Sequence, residues 1–143
     1  MYRHLLALTH NNRGDVLREL NRMKEAVDAY RKALAIEEKL VADFELVIRY
    51  HQDLGMTYGN LGELLRRVGR HEEAEASIRT ALQLSPDEPG SMCVLGLILA
   101  QQGRTTEGLQ VYRAAQAIGY PYPGTHVRMG LVLEQLKLFE EAR

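Results

Sequence analysis

The sequence predicts an all-α chain of helical hairpins arranged as an α-α superhelix. Three observations predict it: residues that recur at fixed intervals, small residues in phase on both helices of each hairpin, and chain-breaking residues where such hairpins turn. Gly14, Leu17, Ala26, Tyr30 and Ala33 recur 48 residues later as Gly62, Leu65, Ala74, Ile78 and Ala81. These recur 34 residues later as Gly96, Leu99, Gly108, Tyr112 and Ala115, and Gly130, Leu133 and Ala142 open a further copy at the same 34-residue step. The expected architecture is three hairpins and a truncated fourth, in one array over 1–143 with repeats at about 7–54, 55–88, 89–122 and 123–143.

In chain order, the first helix of each hairpin carries Gly14, Gly62, Gly96 or Gly130, with a leucine three residues on that buries the same face. A glycine inside a helix costs roughly 1 kcal/mol against alanine, so four in phase point to close helix approach. The second helix answers with Ala26, Ala74, Gly108 and Ala142. Hairpin turns are expected at Asn21–Met23, Gly69–Arg70 and Gly103–Arg104, and the segments Ser85–Gly90 and Gly119–Gly124 separate one hairpin from the next. The first interval exceeds the others by 14 residues, about four helical turns, so lengthening two consecutive helices by about two turns each keeps both faces in phase. Residues 33–53 contain no Gly or Pro, which predicts an elongated helix pair between repeats one and two with its corner between Asp43 and Val47.

These residues resemble the tetratricopeptide repeat, a 34-residue helix-turn-helix with a small residue at its eighth position, a large one at the eleventh, Ala at the twentieth, an aromatic at the twenty-fourth, Ala at the twenty-seventh and Pro at the thirty-second. Gly62, Leu65, Ala74, Ile78, Ala81 and Pro86 occupy those positions in order. The departures are Arg13 where the family has Leu, Gly108 where it has Ala, and His10, Tyr58, Met92 and His126 in place of a tryptophan. The elongated segment is similar to arrays that follow the catalytic domain of bacterial serine/threonine protein kinases. Those have prolines after their Ala-Asp-Phe, where this chain reads Glu45-Leu46-Val47-Ile48. A kinase domain in frame before Met1 would make the chain a regulatory fragment of such a protein.

Composition narrows the function classes. Lys plus Arg number 18 and Asp plus Glu 19, for a net charge of -1, which argues against nucleic acid as the partner. The one cysteine, Cys93, excludes an intrachain disulfide framework and points to a reducing, cytoplasmic setting. The most apolar stretch, Met92–Ala100, is too short to span a membrane, and neither a signal peptide nor membrane binding is expected. His4, His10, His51, His71 and His126 have no ligand spacing, and phosphate-binding loops and nucleophile motifs are absent. The expectation is therefore a scaffold without catalysis, cofactor or metal that binds a protein or peptide.

In the resembled family, set positions of the first helix line the concave groove. Carried onto this chain, they give a polar half at Asn12, Asp15, Asn60, Glu63 and Arg67 and an apolar strip at Val94, Leu97, Val127 and Leu131. Three readings of the strip stand open: a partner segment lies on it, further repeats or another domain cover it, or its leucines pack against neighbouring helices. Chaperone-tail binders of the family use a Lys-Asn-Asn-Lys-Arg carboxylate clamp. Here those positions hold Asn11, Asp15, Asn60, Gly90 and Val94, of which only Asn60 matches. Met129, Leu133, Leu136, Leu138 and Phe139 form an apolar side at the C-terminal end, where end-to-end self-association or continuation of the array is expected.

Overall fold

The computed structural model describes residues 2–118, and over them the expected all-α class is observed. Six helices follow one another: α1 (Tyr2–Glu19), α2 (Met23–Asp43), α3 (Ile48–Arg67), α4 (His71–Leu84), α5 (Pro89–Gln101) and α6 (Thr105–Ile118). The chain divides into two compact units between Ser85 and Pro86. In the first, α1 packs on α2, α3 on α4, and α2 on α3; in the second, α5 packs on α6. The fourth repeat, with Val127, Leu131 and the self-association residues from Met129 to Phe139, lies outside the described residues.

The 14 extra residues are divided as phase requires. Helix α2 has 21 residues and α3 has 20, against 14 in α4, 13 in α5 and 14 in α6. Each long helix thus gains seven residues over its counterpart, close to two turns. Their corner falls at 44–47 as expected, closed by Phe44 N–H to Leu40 O (2.9 Å) and Val47 N–H to Phe44 O (3.1 Å), with no proline needed. One feature differs from the sequence reading. Helix α1 begins at Tyr2, ahead of the repeat start near residue 7, and its extra turn meets the long pair: Arg3 bonds Asp43 at 2.8 Å and lies over the Phe44 ring, while His4 stacks near Tyr50.

The in-phase small residues mark close approach in every described hairpin. A Cβ on Gly14 would stand 2.7 Å from the Tyr30 ring, and one on Gly62 would stand 2.5 Å from Ile78 Cγ1. In α5 and α6 the contact is backbone to backbone, since a Cβ on Gly108 would stand 2.7 Å from Gly96 O. The family's alanine would not fit there, which explains that departure. All three hairpins turn alike: Asn21, Gly69 and Gly103 take positive φ, and the next residue's N–H closes back on Leu17, Leu65 or Leu99 O at 2.8, 2.9 and 2.8 Å. This is the left-handed helix ending that glycine or asparagine adopts at low cost. Each turn is followed by an arginine that grips a glutamate in the next first turn, through Arg22–Glu25, Arg70–Glu73 and Arg104–Glu107.

Candidate functional site

The first helices of the first two repeats carry the same polar series one interval apart. Asn12, Asp15 and Arg18 on α1 correspond to Asn60, Glu63 and Arg66 on α3, and Glu19 corresponds to Arg67. Spacing of three residues sets each series along one side of its helix. Within each, the acid pairs with the arginine a turn later: Asp15 with Arg18 at 3.7 Å and Glu63 with Arg66 at 2.6 Å. The Glu63 pair is bidentate and holds the Arg66 guanidinium charged, raising its pKa further. Asp15 also accepts a 2.5 Å bond from Tyr30 Oη. Burial first, then that bond, pushes the Tyr30 phenol well above the usual tyrosine range.

Asn12 and Arg67 are exposed and Asn60 is half-buried, and neither asparagine side chain makes a hydrogen bond among the described residues. Two amide groups, each able to donate and accept, are therefore open to a ligand. The helices that carry them are tied together beside this point, where Asn11 Nδ2 donates to Thr57 Oγ1 at 2.9 Å.

That tie belongs to a network the sequence reading missed. Asn11 also donates to Glu37 Oε1 at 2.7 Å, and Thr57 Oγ1 lies 3.0 Å from the same oxygen. Glu37 is 2 % exposed and its Oε2 is buried without a hydrogen-bond partner. Burial drives its carboxyl up to about 7, against the opposing pull of the Thr57 and Asn11 bonds. Asn11, which the resemblance sets at a clamp position, is a structural residue here. On the neighbouring turn Tyr58 Oη donates to Glu38, and burial followed by that bond pushes its phenol up to about 12.

In the second unit, Val94 and Leu97 are half-buried on α5. Leu97 packs with Ala100 against Leu109, and Cys93 packs with Met92 against Tyr112 and Ala115. Leu97 thus contributes to the α5–α6 core, which favours the packing reading for that residue. Two open depressions occur elsewhere: one of about 470 Å³ lined by Ala42–Val47, and one of about 130 Å³ lined by His10, Arg13, Glu25, Asp28, Ala29 and Lys32. Neither includes a candidate groove residue. Among the described residues no group of three or more His, Cys, Asp or Glu is placed to hold a metal ion, and no helix is long and apolar enough to cross a membrane.

Comparison with known proteins fits this geometry. Models of the tetratricopeptide repeat match residues 7–40 and 60–123. No curated protein matches the sequence. Among solved structures, the first domain of this kind in human RPAP3 aligns with TM-score 0.73 at 15% identity, over 98% of this chain and 99% of that one. The first such domain of Spaghetti (RPAP3), bound to the HSP90 peptide SRMEEVD, aligns with TM-score 0.72 at 14% identity over 93% and 97%. The Arabidopsis OM64 domain aligns with TM-score 0.72 at 12% identity over 94% and 97%. At such identities the likeness carries the fold alone. The in-phase repeats, the hairpins and the matched models together place the chain in the tetratricopeptide repeat family.

Proposed function

We propose that the chain is a non-catalytic interaction module that holds an extended segment of a partner protein along α1 and α3. The observation that carries this reading is the duplicated series of Asn12, Asp15 and Arg18 with Asn60, Glu63 and Arg66, in which both asparagine amides are unengaged. Paired amides a fixed interval apart grip a peptide backbone independently of its side chains, while Glu19 and Arg67, of opposite sign at equivalent positions, give the binding face a polarity. Peptide binding by the Spaghetti domains supports the class of partner. The mode differs: a free terminal carboxylate would face Asp15, and Asn11 is already committed to Glu37 and Thr57. The partner segment is therefore internal to its own chain. Within the second unit, half-buried Val94 on α5 is a separate candidate apolar contact.

A displayed library of extended peptides supplies a ligand, and titration calorimetry measures it against variants. Asn12→Ala and Asn60→Ala should each weaken binding by about 1 kcal/mol, roughly fivefold, with helical content unchanged. Arg79→Ala on α4 should leave affinity unaltered. Val94→Glu is a cleaner probe of the second unit than Leu97→Glu, which also disturbs packing on Leu109. Unchanged affinity in the doubly substituted asparagine variant would remove the site from these helices.

A further inference from the structure

One face of α1 has an internal reference in α3, its counterpart 48 residues on. On α3, Leu54, Thr57, Leu61 and Leu64 form one helical stripe, none more than 6 % exposed, and the bond from Thr57 to Glu37 shows that the stripe is turned to α2. The equivalent residues of α1 are Leu6, Thr9, Arg13 and Val16, continued by Leu20. The local chemistry is retained as well: Thr9 Oγ1 bonds Leu5 O at 2.9 Å as Thr57 Oγ1 bonds Asp53 O at 3.0 Å. Yet Leu6, Val16 and Leu20 are 37, 54 and 61 % exposed, with Tyr2 and Leu5 exposed beside them. Helix α1 thus carries a helix-receiving face with no helix on it among the described residues.

We propose that this face pairs with the same face of α1 in a second copy of the chain, the two helices antiparallel. The stripe is symmetric about residue 11. When one α1 is laid against another in the opposite direction, Tyr2 meets Leu20, Leu6 meets Val16 and Thr9 meets Arg13. Apolar ends meet apolar ends, and the only charge in the stripe lies against a hydroxyl instead of against its own copy. The Thr9 proton is directed to Leu5 O, which leaves the oxygen lone pairs to accept from the partner's guanidinium. Arg13 shares a depression with Glu25 and Asp28 of α2, but among the described residues it forms an ion pair with neither, and Glu25 is held by Arg22, so the Arg13 donors are available. A parallel pairing would set Arg13 against Arg13 and is disfavoured by that repulsion. The helix is about 27 Å long, and a single pair of such helices buries less than the roughly 1,200 Å² of a standard stable interface, so association is weak and concentration-dependent.

Sedimentation equilibrium of the intact chain over a concentration series tests this. The expected result is a reversible monomer–dimer equilibrium that Val16→Glu and Leu20→Glu each shift to monomer. Helical circular dichroism should stay intact, since both side chains are exposed and α1 stays anchored on α2 through Gly14 and Tyr30. Thr9→Cys mixed with Arg13→Cys, both in a Cys93→Ala background, should cross-link far more than either alone. A monomer at every concentration overturns the proposal, and so does a monomer that instead takes up a peptide of the α2 sequence, which would assign the face to a foreign helix. A dimer untouched by both glutamate substitutions, or one that cross-links Thr9→Cys to itself, overturns it equally.

Discussion

Helix surrounds the carboxyl group of Glu37: Asn11 reaches it from α1, Thr57 from α3, and its second oxygen is buried without a partner. Its folded pKa of about 7 lies above the ordinary range of a glutamate carboxyl, with burial the largest cause and the charges of Asp53 and Glu38 adding to it. Below the unfolded value both states hold the proton and the group is neutral for stability. As pH rises from there toward 7 the unfolded chain ionises first, so stability falls through that window and levels off above it. A difference of this size corresponds to roughly 3 kcal/mol. Glu37→Gln keeps an acceptor oxygen for Asn11 and Thr57 and removes the titration. Urea unfolding at pH 5, 6.5 and 8 should show the parent losing stability with pH and the variant holding it, with the variant the more stable at pH 8. Parallel curves would mean that Glu37 does not titrate in this window. Nothing in the sequence distinguishes Glu37 from its neighbours Glu38 and Lys39. Its role arises because the elongated α2 carries it past the repeat into the joint with α1 and α3.

At the scale of the helix, the hairpin turns and the small positions were legible, because each rests on a local requirement: a left-handed residue after the helix, or no side chain where two backbones meet. The start of α1 was not legible, since what holds Tyr2–Leu6 in a helix is contact with the Asp43–Tyr50 corner rather than any signal in residues 2–6. The same limit applies to the binding face. The family resemblance places Asn12, Asp15, Asn60 and Glu63 on the groove side, but that Asn11 is structural and Leu97 partly core depends on neighbours distant in sequence. The small positions yield a direct test. Ala74 is fully buried, and its carbonyl lies 3.4 Å from where a Gly62 Cβ would stand. Ala74→Leu should therefore cost about 1 to 3 kcal/mol through overpacking, visible as a lower melting temperature. Ala76→Leu, the same change at an exposed position of α4, should cost less than about 0.5 kcal/mol. Equal melting temperatures for the two would contradict the close α3–α4 approach.

Across the whole molecule, one rule connects the 48-residue interval with the regular 34-residue one: length is added in amounts that return each helix to the same face. Seven residues turn a helix by 700°, within about 20° of two full turns, so α2 and α3 each gain length without rotating their packed residues. The two additions also have to match each other, because the corner at 44–47 joins their ends. Removing Leu34–Leu40 from α2 alone would pull its end back by roughly 10 Å and leave the first two turns of α3 without a packing surface. Removing Tyr50–Met56 from α3 alone would strand the end of α2 in the same way. Removing both restores a 34-residue interval with both faces in phase and the corner intact, though Glu37 and its network are lost. Independent deletions at separate sites would add their costs. Here the second should cost little beyond the first, and the doubly shortened chain should melt no lower than either single deletion by circular dichroism. A double deletion that loses the sum of the two single losses would show that the long helices are independent extensions, and the matched-length account of this fold would fail.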